Sequence, residues 1–213
     1  ASQGGLTDPL LRPKFVPQPR ATCAFSKSAR DFVTALGLDE AYFDSDHDRC
    51  FCPECYPREN RDLIEGDGPT PYVIPRGWYG FGLALPPRAK AQDIFHSWSA
   101  SFHGVDNPMT LQSILDCGEL MKAGDKLLDG TELQGSKCAG RQDRVFYTSP
   151  TVRYAGLKFY AQPQRFEEPH APSDAAAMAA SMVLQCRQRP DSYEHQGETM
   201  RFEQEWPGHL RRW

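Results

Sequence analysis

The clearest alternation of hydrophobic and polar residues lies in the stretch WSASFHG, residues 98–104. With a period of two, the apolar residues from Trp98 to Phe102 share one face, and two serines and His103 share the other. This pattern predicts a β-strand that buries its apolar face and presents its polar row to whatever lies opposite. Because Gly104 has no Cβ, it lets a ligand approach the backbone there. The end of this strand is therefore a candidate ligand-binding wall, although these residues by themselves favour a strand that ends at a glycine turn with a solvated histidine.

Apolar residues spaced three and four apart predict two helices. The first spans residues 26–36 and ends at Gly37, and the second spans residues 110–117 and ends at Gly118. Residues 182–186, Met-Val-Leu-Gln-Cys, predict another strand.

A short apolar strand is predicted to end at Tyr147. Ser149, followed by Pro150, suits the N-cap and first position of a helix that ends at Tyr160. Residues 201–206 alternate charged and polar or apolar residues, and this late strand could bring Glu205 to the same place as the others.

Composition narrows the function classes. The 213 residues include 39% hydrophobic residues, which is enough for a folded core. The net charge of −4 argues against nucleic acid as a partner, and no apolar run approaches the roughly 18 residues of a membrane span. Residues 1–21 are rich in Pro and Gly and are predicted to form an extended arm or linker.

Three of the seven cysteines, Cys50, Cys52 and Cys55, lie within six consecutive residues. Thiols at this spacing pair poorly in disulfides and, as thiolates, suit a tetrahedral metal. We predict a structural zinc in an intracellular, reducing compartment (cytoplasmic or nuclear), the alternative being reduced surface thiols. A closed site needs a fourth ligand, for which His47 is the nearest candidate and Cys23 the next.

Three predicted strands carry His103, Tyr147 and Glu205, in this order along the chain, and the helix after Tyr147 ends at Tyr160. This set suits cleavage of the glycosidic bond of NAD, in which positive charge develops on the ribose as nicotinamide leaves. Such a site holds nicotinamide rigidly, by stacking on an aromatic ring, and places a carboxylate near the ribose.

Residues 98–104, 114–120, 147–150 and 160–161 together resemble the ADP-ribosyltransferase superfamily, in its poly(ADP-ribose)-polymerase-like His-Tyr-Glu branch. The cysteine knuckle and residues 75–81 are similar to the C-terminal domain of some neuralized-like proteins. The resemblance covers about residues 50 to 206. It implies an α+β fold with a split mixed or antiparallel sheet, short helices and an N-terminal zinc knuckle. Residues 22–75 are then a helix and knuckle packed on the core, and residues 76–213 the catalytic core.

The resemblance also implies residue roles. His103 contacts a ribose of NAD, the backbone of Gly104 holds the nicotinamide amide, and Tyr147 and Tyr160 flank the nicotinamide ring. Glu205 is the catalytic carboxylate, and Glu203 is the second choice for that role. Ser149 is a further cofactor-binding residue. Val105 departs from the family pattern, since relatives often have a hydroxyl residue there, and Arg144 replaces a glycine.

These expectations together predict an NAD-dependent mono-ADP-ribosyltransferase whose partners are acceptor proteins. Two alternatives remain open at this point. One is a non-catalytic, zinc-containing interaction module, an adaptor with ubiquitin-pathway partners. The other is a pseudoenzyme that binds NAD without transfer.

Overall fold

A computed structural model describes residues 17–57, 63–64, 72–134, 145–167 and 177–195. The fold is α+β, with short helices and small antiparallel sheets, which agrees with the predicted class at that coarse level. The chain forms two compact units. The first comprises residues 1–64, 73–86 and 164–180, and the second comprises residues 65–72, 87–163 and 181–213. The predicted boundary between residues 75 and 76 does not coincide with this division.

The elements follow in chain order. The helices are α1 (Ala24–Ala35), α2 (Pro87–Ala91), α3 (Ile94–Ser97), α4 (Pro108–Cys117) and α5 (Val152–Ala155). The strands are β1 (Arg49–Cys50), β2 (Leu63–Ile64), β3 (Tyr72–Val73), β4 (Tyr79–Gly80), β5 (Ser99–Val105), β6 (Gln164–Phe166), β7 (Met178–Ala180) and β8 (Met182–Gln188). No helix in these described stretches is long and apolar enough to cross a membrane.

The first unit contains α1 and two small sheets. Helix α1 begins two residues earlier than predicted, and its buried Phe32 packs on Phe166 of β6 with ring centroids 5.1 Å apart. Strands β1 and β4 pair antiparallel, which sets Cys50 opposite Tyr79. Strands β6 and β7 form the other antiparallel pair. The alanine-rich composition of residues 173–180 predicts a short helix, and this prediction is wrong for residues 178–180, which form β7.

The second unit is organised on the antiparallel pair β5–β8, whose register runs from Ser99 opposite Gln188 to Val105 opposite Met182. Both strands were predicted. The expected polar face of β5 is wrong in detail, because Ser99 and Ser101 are buried. Only the end of the row is accessible, where His103 and Gly104 are half-buried.

Helix α4 shows how local sequence signals fix an element in this unit. The side-chain oxygen of Asn107, Oδ1, accepts from the Thr110 N–H at 2.8 Å, Pro108 occupies the first turn, and Gly118 ends the helix at φ 71°. The glycines and charges of residues 122–143 predict a long surface loop, but residues 124–133 form a hairpin within it. The hairpin is attached to α4, because the Leu128 N–H donates to the Ser113 hydroxyl at 3.0 Å.

Candidate functional site

Four cysteine side chains lie together in the first unit: Cys23, Cys50, Cys52 and Cys55. Their sulfur atoms all lie within 4.8 Å of one another, and each residue is at most 4% exposed. Three elements deliver them, because Cys23 precedes α1, Cys50 ends β1 and the other two occupy the turn that follows. Four thiolates in a tetrahedral arrangement are a typical ligand set for zinc or iron. The cluster could hold a metal ion such as zinc.

Backbone hydrogen bonds point at the sulfur atoms of this cluster. The Ser26 N–H donates to Cys23 Sγ and the Arg20 N–H donates to Cys55 Sγ, each at 3.4 Å. Burial raises the pKa of the Cys50 thiol and that of the Cys55 thiol. For Cys52 burial acts in the same direction, but hydrogen bonds from the following backbone and the neighbouring thiols outweigh it and lower the pKa. The pKa values of these thiols are therefore shifted in different directions. A metal ion bound to all four sulfur atoms would hold each of them in the thiolate form.

The fourth member of the cluster is Cys23 and not His47, which the sequence ranked first. His47 is largely exposed, and its Nδ1 lies 3.0 Å from a carboxylate oxygen of Asp44 within the same helical turn. Its Cβ also lies close to the backbone of Gly82. Cys23 Sγ, in contrast, lies 3.6 Å from Cys52 Sγ and 3.9 Å from Cys50 Sγ. The geometry therefore replaces His47 by Cys23 in the candidate ligand set.

A buried polar network that the sequence did not reveal lies beside the cluster. The Tyr79 side chain packs against the cysteines, and its hydroxyl donates to the buried Asp48 carboxylate at 2.7 Å. The other Asp48 oxygen accepts from the Gly82 N–H at 3.0 Å, and Arg30 donates to the Tyr79 oxygen at 3.2 Å. Burial, together with the Asp48 hydrogen bond, raises the pKa of Tyr79 to about 12. The network holds Tyr79 neutral and fixes β4 next to Cys50.

The second candidate site lies at the end of β5 in the second unit. His103 Nδ1 lies 2.8 Å from the backbone oxygen of Tyr147. Because a carbonyl oxygen only accepts, Nδ1 carries the hydrogen and donates it, and neutral His103 keeps Nε2 as an acceptor. Both side chains are half-buried, so they remain accessible at the surface of the unit.

Gly104 brings Tyr160 into the same region. A Cβ at position 104 would overlap the backbone oxygen of Ala155 and lie 2.8 Å from the Cβ of Tyr160. Only glycine allows this close approach. The ring of Tyr160 in turn contacts Phe159 and Tyr154, with centroids 5.1 Å and 5.7 Å apart. The close neighbour of Gly104 is thus the turn that carries Tyr160, and contact of this glycine with a ligand stays a prediction.

Ser149 joins the same strand by its backbone. Its N–H and carbonyl pair with those of Phe102 at 2.9 Å and 2.7 Å. The Ser149 hydroxyl accepts from the Thr151 N–H at 3.1 Å, but the helix begins only at Val152, so the prediction that it starts at Ser149 is wrong. The N-cap is Thr151, and α5 ends at Ala155, well before Tyr160. The strand predicted to end at Tyr147 is likewise absent from residues 145–147, which form no ladder in the described chain.

The structure thus brings together five residues singled out from the sequence: His103, Gly104, Tyr147, Ser149 and Tyr160. A side-chain bond that the sequence did not reveal supports them, since Gln188 of β8 donates to the Thr148 hydroxyl at 2.9 Å. The predicted carboxylates Glu203 and Glu205 lie outside the described residues. No known protein family and no solved structure matches this chain.

Proposed function

We propose that the protein is an NAD-dependent mono-ADP-ribosyltransferase that modifies acceptor proteins. The observation that supports the proposal is that the end of β5 contacts both tyrosine segments: His103 Nδ1 lies 2.8 Å from the backbone oxygen of Tyr147, and Gly104 lies against the turn that carries Tyr160. Tyr147 lies 44 positions after His103, and Tyr160 lies further along the chain. All three residues nevertheless belong to the same compact unit. The same residues carry the sequence resemblance to ADP-ribosyltransferases, so two independent lines support one site.

The chemistry of these groups agrees with NAD as co-substrate. His103 has Nε2 free to accept a hydrogen bond, because Nδ1 is committed to Tyr147, and ribose hydroxyls are donors of the right kind. The half-buried tyrosine rings offer faces on which nicotinamide can stack. In the reaction the bond between ribose C1 and the nicotinamide nitrogen breaks, and its electron pair leaves with nicotinamide. An acceptor side chain then bonds to C1 and loses a proton, while Glu205 stabilises the positive ribose.

We propose further that zinc occupies the cysteine cluster as a structural metal. The four cysteines are buried and together would fill all four coordination positions of zinc. No position is then left for water or another exchangeable ligand, which is typical of structural zinc sites. Zinc has no redox chemistry of its own, and thiolate binding requires a reducing environment. The proposed location is therefore an intracellular, reducing compartment.

The test of the transferase proposal is incubation with labelled NAD and a panel of acceptor proteins. We expect label on an acceptor with the wild type and its loss with Glu205→Gln, which keeps the shape and removes the charge. Glu119→Gln is the matched control, because Glu119 is an exposed carboxylate that pairs with Arg88. Equal labelling by the wild type and the Glu205 variant removes Glu205 from the mechanism.

A thermal shift with millimolar NAD separates the alternatives, because a ligand that binds only the native state raises the melting temperature. A shift that His103→Ala abolishes, with label transferred, supports the transferase. A shift without label on any acceptor indicates an NAD-binding pseudoenzyme. Neither shift nor label favours the interaction module with ubiquitin-pathway partners, which would retain the metal site alone.

A further inference from the structure

Cys23 has two tasks that are usually given to different residues. It precedes α1 in an extended conformation, and its sulfur accepts from the Ser26 N–H at 3.4 Å, which is the position of an N-cap. Its carbonyl accepts from the Lys27 N–H at 3.1 Å. Serine, threonine, aspartate and asparagine are the usual N-caps, because a neutral thiol is a weak acceptor. The same sulfur belongs to the four-cysteine cluster.

The position of the sulfur decides how well it works as a cap. The Ser26 N–H donates to Cys23 Sγ at 3.4 Å, so the cap exists only while the sulfur stays at the start of the helix. A metal ion bound to the cluster would fix this sulfur in space. The metal site and the start of α1 therefore share one atom.

Cys23 lies far along the chain from the other three cysteines of the cluster. Cys50, Cys52 and Cys55 lie within six residues of one another, whereas Cys23 is 27 residues away from Cys50. A metal bound to all four thus closes a long loop and attaches the start of α1 to the end of β1. Other contacts also hold α1, among them the hydrogen bond from Arg30 to Tyr79.

We infer that metal binding controls the first turn of α1: Cys23 is at once the fourth ligand of the metal and the N-cap of the helix. The inference rests on the proposed occupancy of the cluster and goes beyond it. A metal held by the other three cysteines and a water would leave α1 independent of the metal. With Cys23 as ligand, loss of the metal loosens the first turn of α1 without unfolding the remainder of that helix.

Hydrogen–deuterium exchange of the full chain tests this, with zinc bound and after treatment with EDTA. We expect exchange of the Ser26 and Lys27 amides to rise at least about fivefold on chelation, which is the size of a lost N-cap. Helix α4 is the internal control, because its cap is Asn107 and contains no sulfur. Its exchange should not change.

Two variants separate the cap from the ligand. Cys23→Ser keeps an N-cap and removes a ligand, so α1 should exchange slowly whether or not zinc is added. Cys55→Ser removes a ligand and keeps the Cys23 thiol, so in its zinc-free form, checked by metal analysis, α1 should exchange as fast as in the chelated wild type. If Cys23→Ser does not fold, chelation of the wild type and Cys55→Ser still decide the question.

The outcomes are distinct for the inference and for the proposed metal. One equivalent of zinc in the wild type with α1 exchange unchanged by EDTA overturns the inference and leaves the metal site standing. Absence of zinc from purified protein, and no uptake of added Zn²⁺, overturns the metal site and the inference with it. Zinc binding with faster α1 exchange on chelation supports both.

Discussion

The substitution Gly104→Ala tests the packing on which the second site depends. A Cβ there overlaps the Ala155 backbone oxygen and comes within 2.8 Å of the Cβ of Tyr160, and neither is the far end of a flexible side chain. The turn that carries Tyr160 must therefore move away from β5. Forcing one carbon into such a contact costs about 1–3 kcal/mol. Loss of glycine freedom in the unfolded chain returns about 0.4–1 kcal/mol.

The net loss is about 1–2 kcal/mol, which for a chain of this size lowers the melting temperature by roughly 2–8 °C. The assay is thermal denaturation followed by circular dichroism, with and without millimolar NAD. We expect Gly104→Ala to melt earlier and to lose the NAD-induced rise, because displacement of Tyr160 removes one of the two rings proposed to stack on nicotinamide.

Gly80→Ala is the matched control. Gly80 also lies in a strand, but a Cβ there meets only Arg49 atoms at 3.8 Å and 3.9 Å, which is ordinary contact. This variant should melt within about 2 °C of the wild type, as a substitution without overlap does. A Gly104→Ala protein that is as stable as Gly80→Ala refutes the packing argument. Retention of its full NAD response separates Tyr160 from the proposed site.

Three further changes have defined outcomes. Tyr79→Phe removes the hydroxyl that donates to buried Asp48, and we expect a loss of about 1–3 kcal/mol in urea unfolding below pH 10. The pKa of Tyr79 is about 12 in the folded protein and 10 in the unfolded chain. The free energy of unfolding of the wild type should therefore fall by roughly 1–2 kcal/mol as the pH rises from 10 to 12, a magnitude that allows for solvent screening of this half-buried group. Asn107→Ala removes the N-cap of α4 and should cost about 1 kcal/mol in the same assay. Chelation with EDTA should lower the melting temperature of the zinc-loaded protein, and added Zn²⁺ should restore it.

Each of these has an outcome that contradicts it. A wild type and a Tyr79→Phe variant whose stabilities fall in parallel between pH 10 and 12 would show that another group titrates there. An Asn107→Ala protein no less stable than Asn107→Ser, which keeps a capping hydroxyl, would remove the cap from the account of α4. Melting that does not respond to EDTA in zinc-containing protein would mean that the metal contributes nothing to stability.

Elements with strong local signals were predictable from the sequence. Helix α4 has Asn107 before it, Pro108 in its first turn and Gly118 after it, and each residue acts on its own backbone neighbours. Strand β5 has alternating apolar and polar residues from Trp98 to His103, and β8 begins with the apolar run Met-Val-Leu. Such signals need no knowledge of distant parts of the chain, so they can be recognised one window at a time.

Elements that depend on distant partners were not predictable. Met178–Ala180 looks helical by composition, yet it pairs with Gln164–Phe166, and this pairing outweighs the local preference. Three of the candidate metal ligands were predicted from their spacing, whereas Cys23 enters the cluster because α1 begins beside it. His47 was nearer along the chain, but its short helical turn directs it to Asp44. Distance along the sequence was a poor guide to distance in space.

The discontinuity of both compact units has a consequence for biosynthesis. A nascent chain that has reached Pro163 lacks Phe166, the partner of Phe32, and lacks the whole of β8, the partner of β5. Neither half can therefore close its core before the ribosome has added the segment that follows, and pairings so distant in sequence form slowly. The four cysteines of the cluster emerge before residues 164–180, the last segment of their unit. Fragments cut near residue 163 should accordingly yield neither half in folded form.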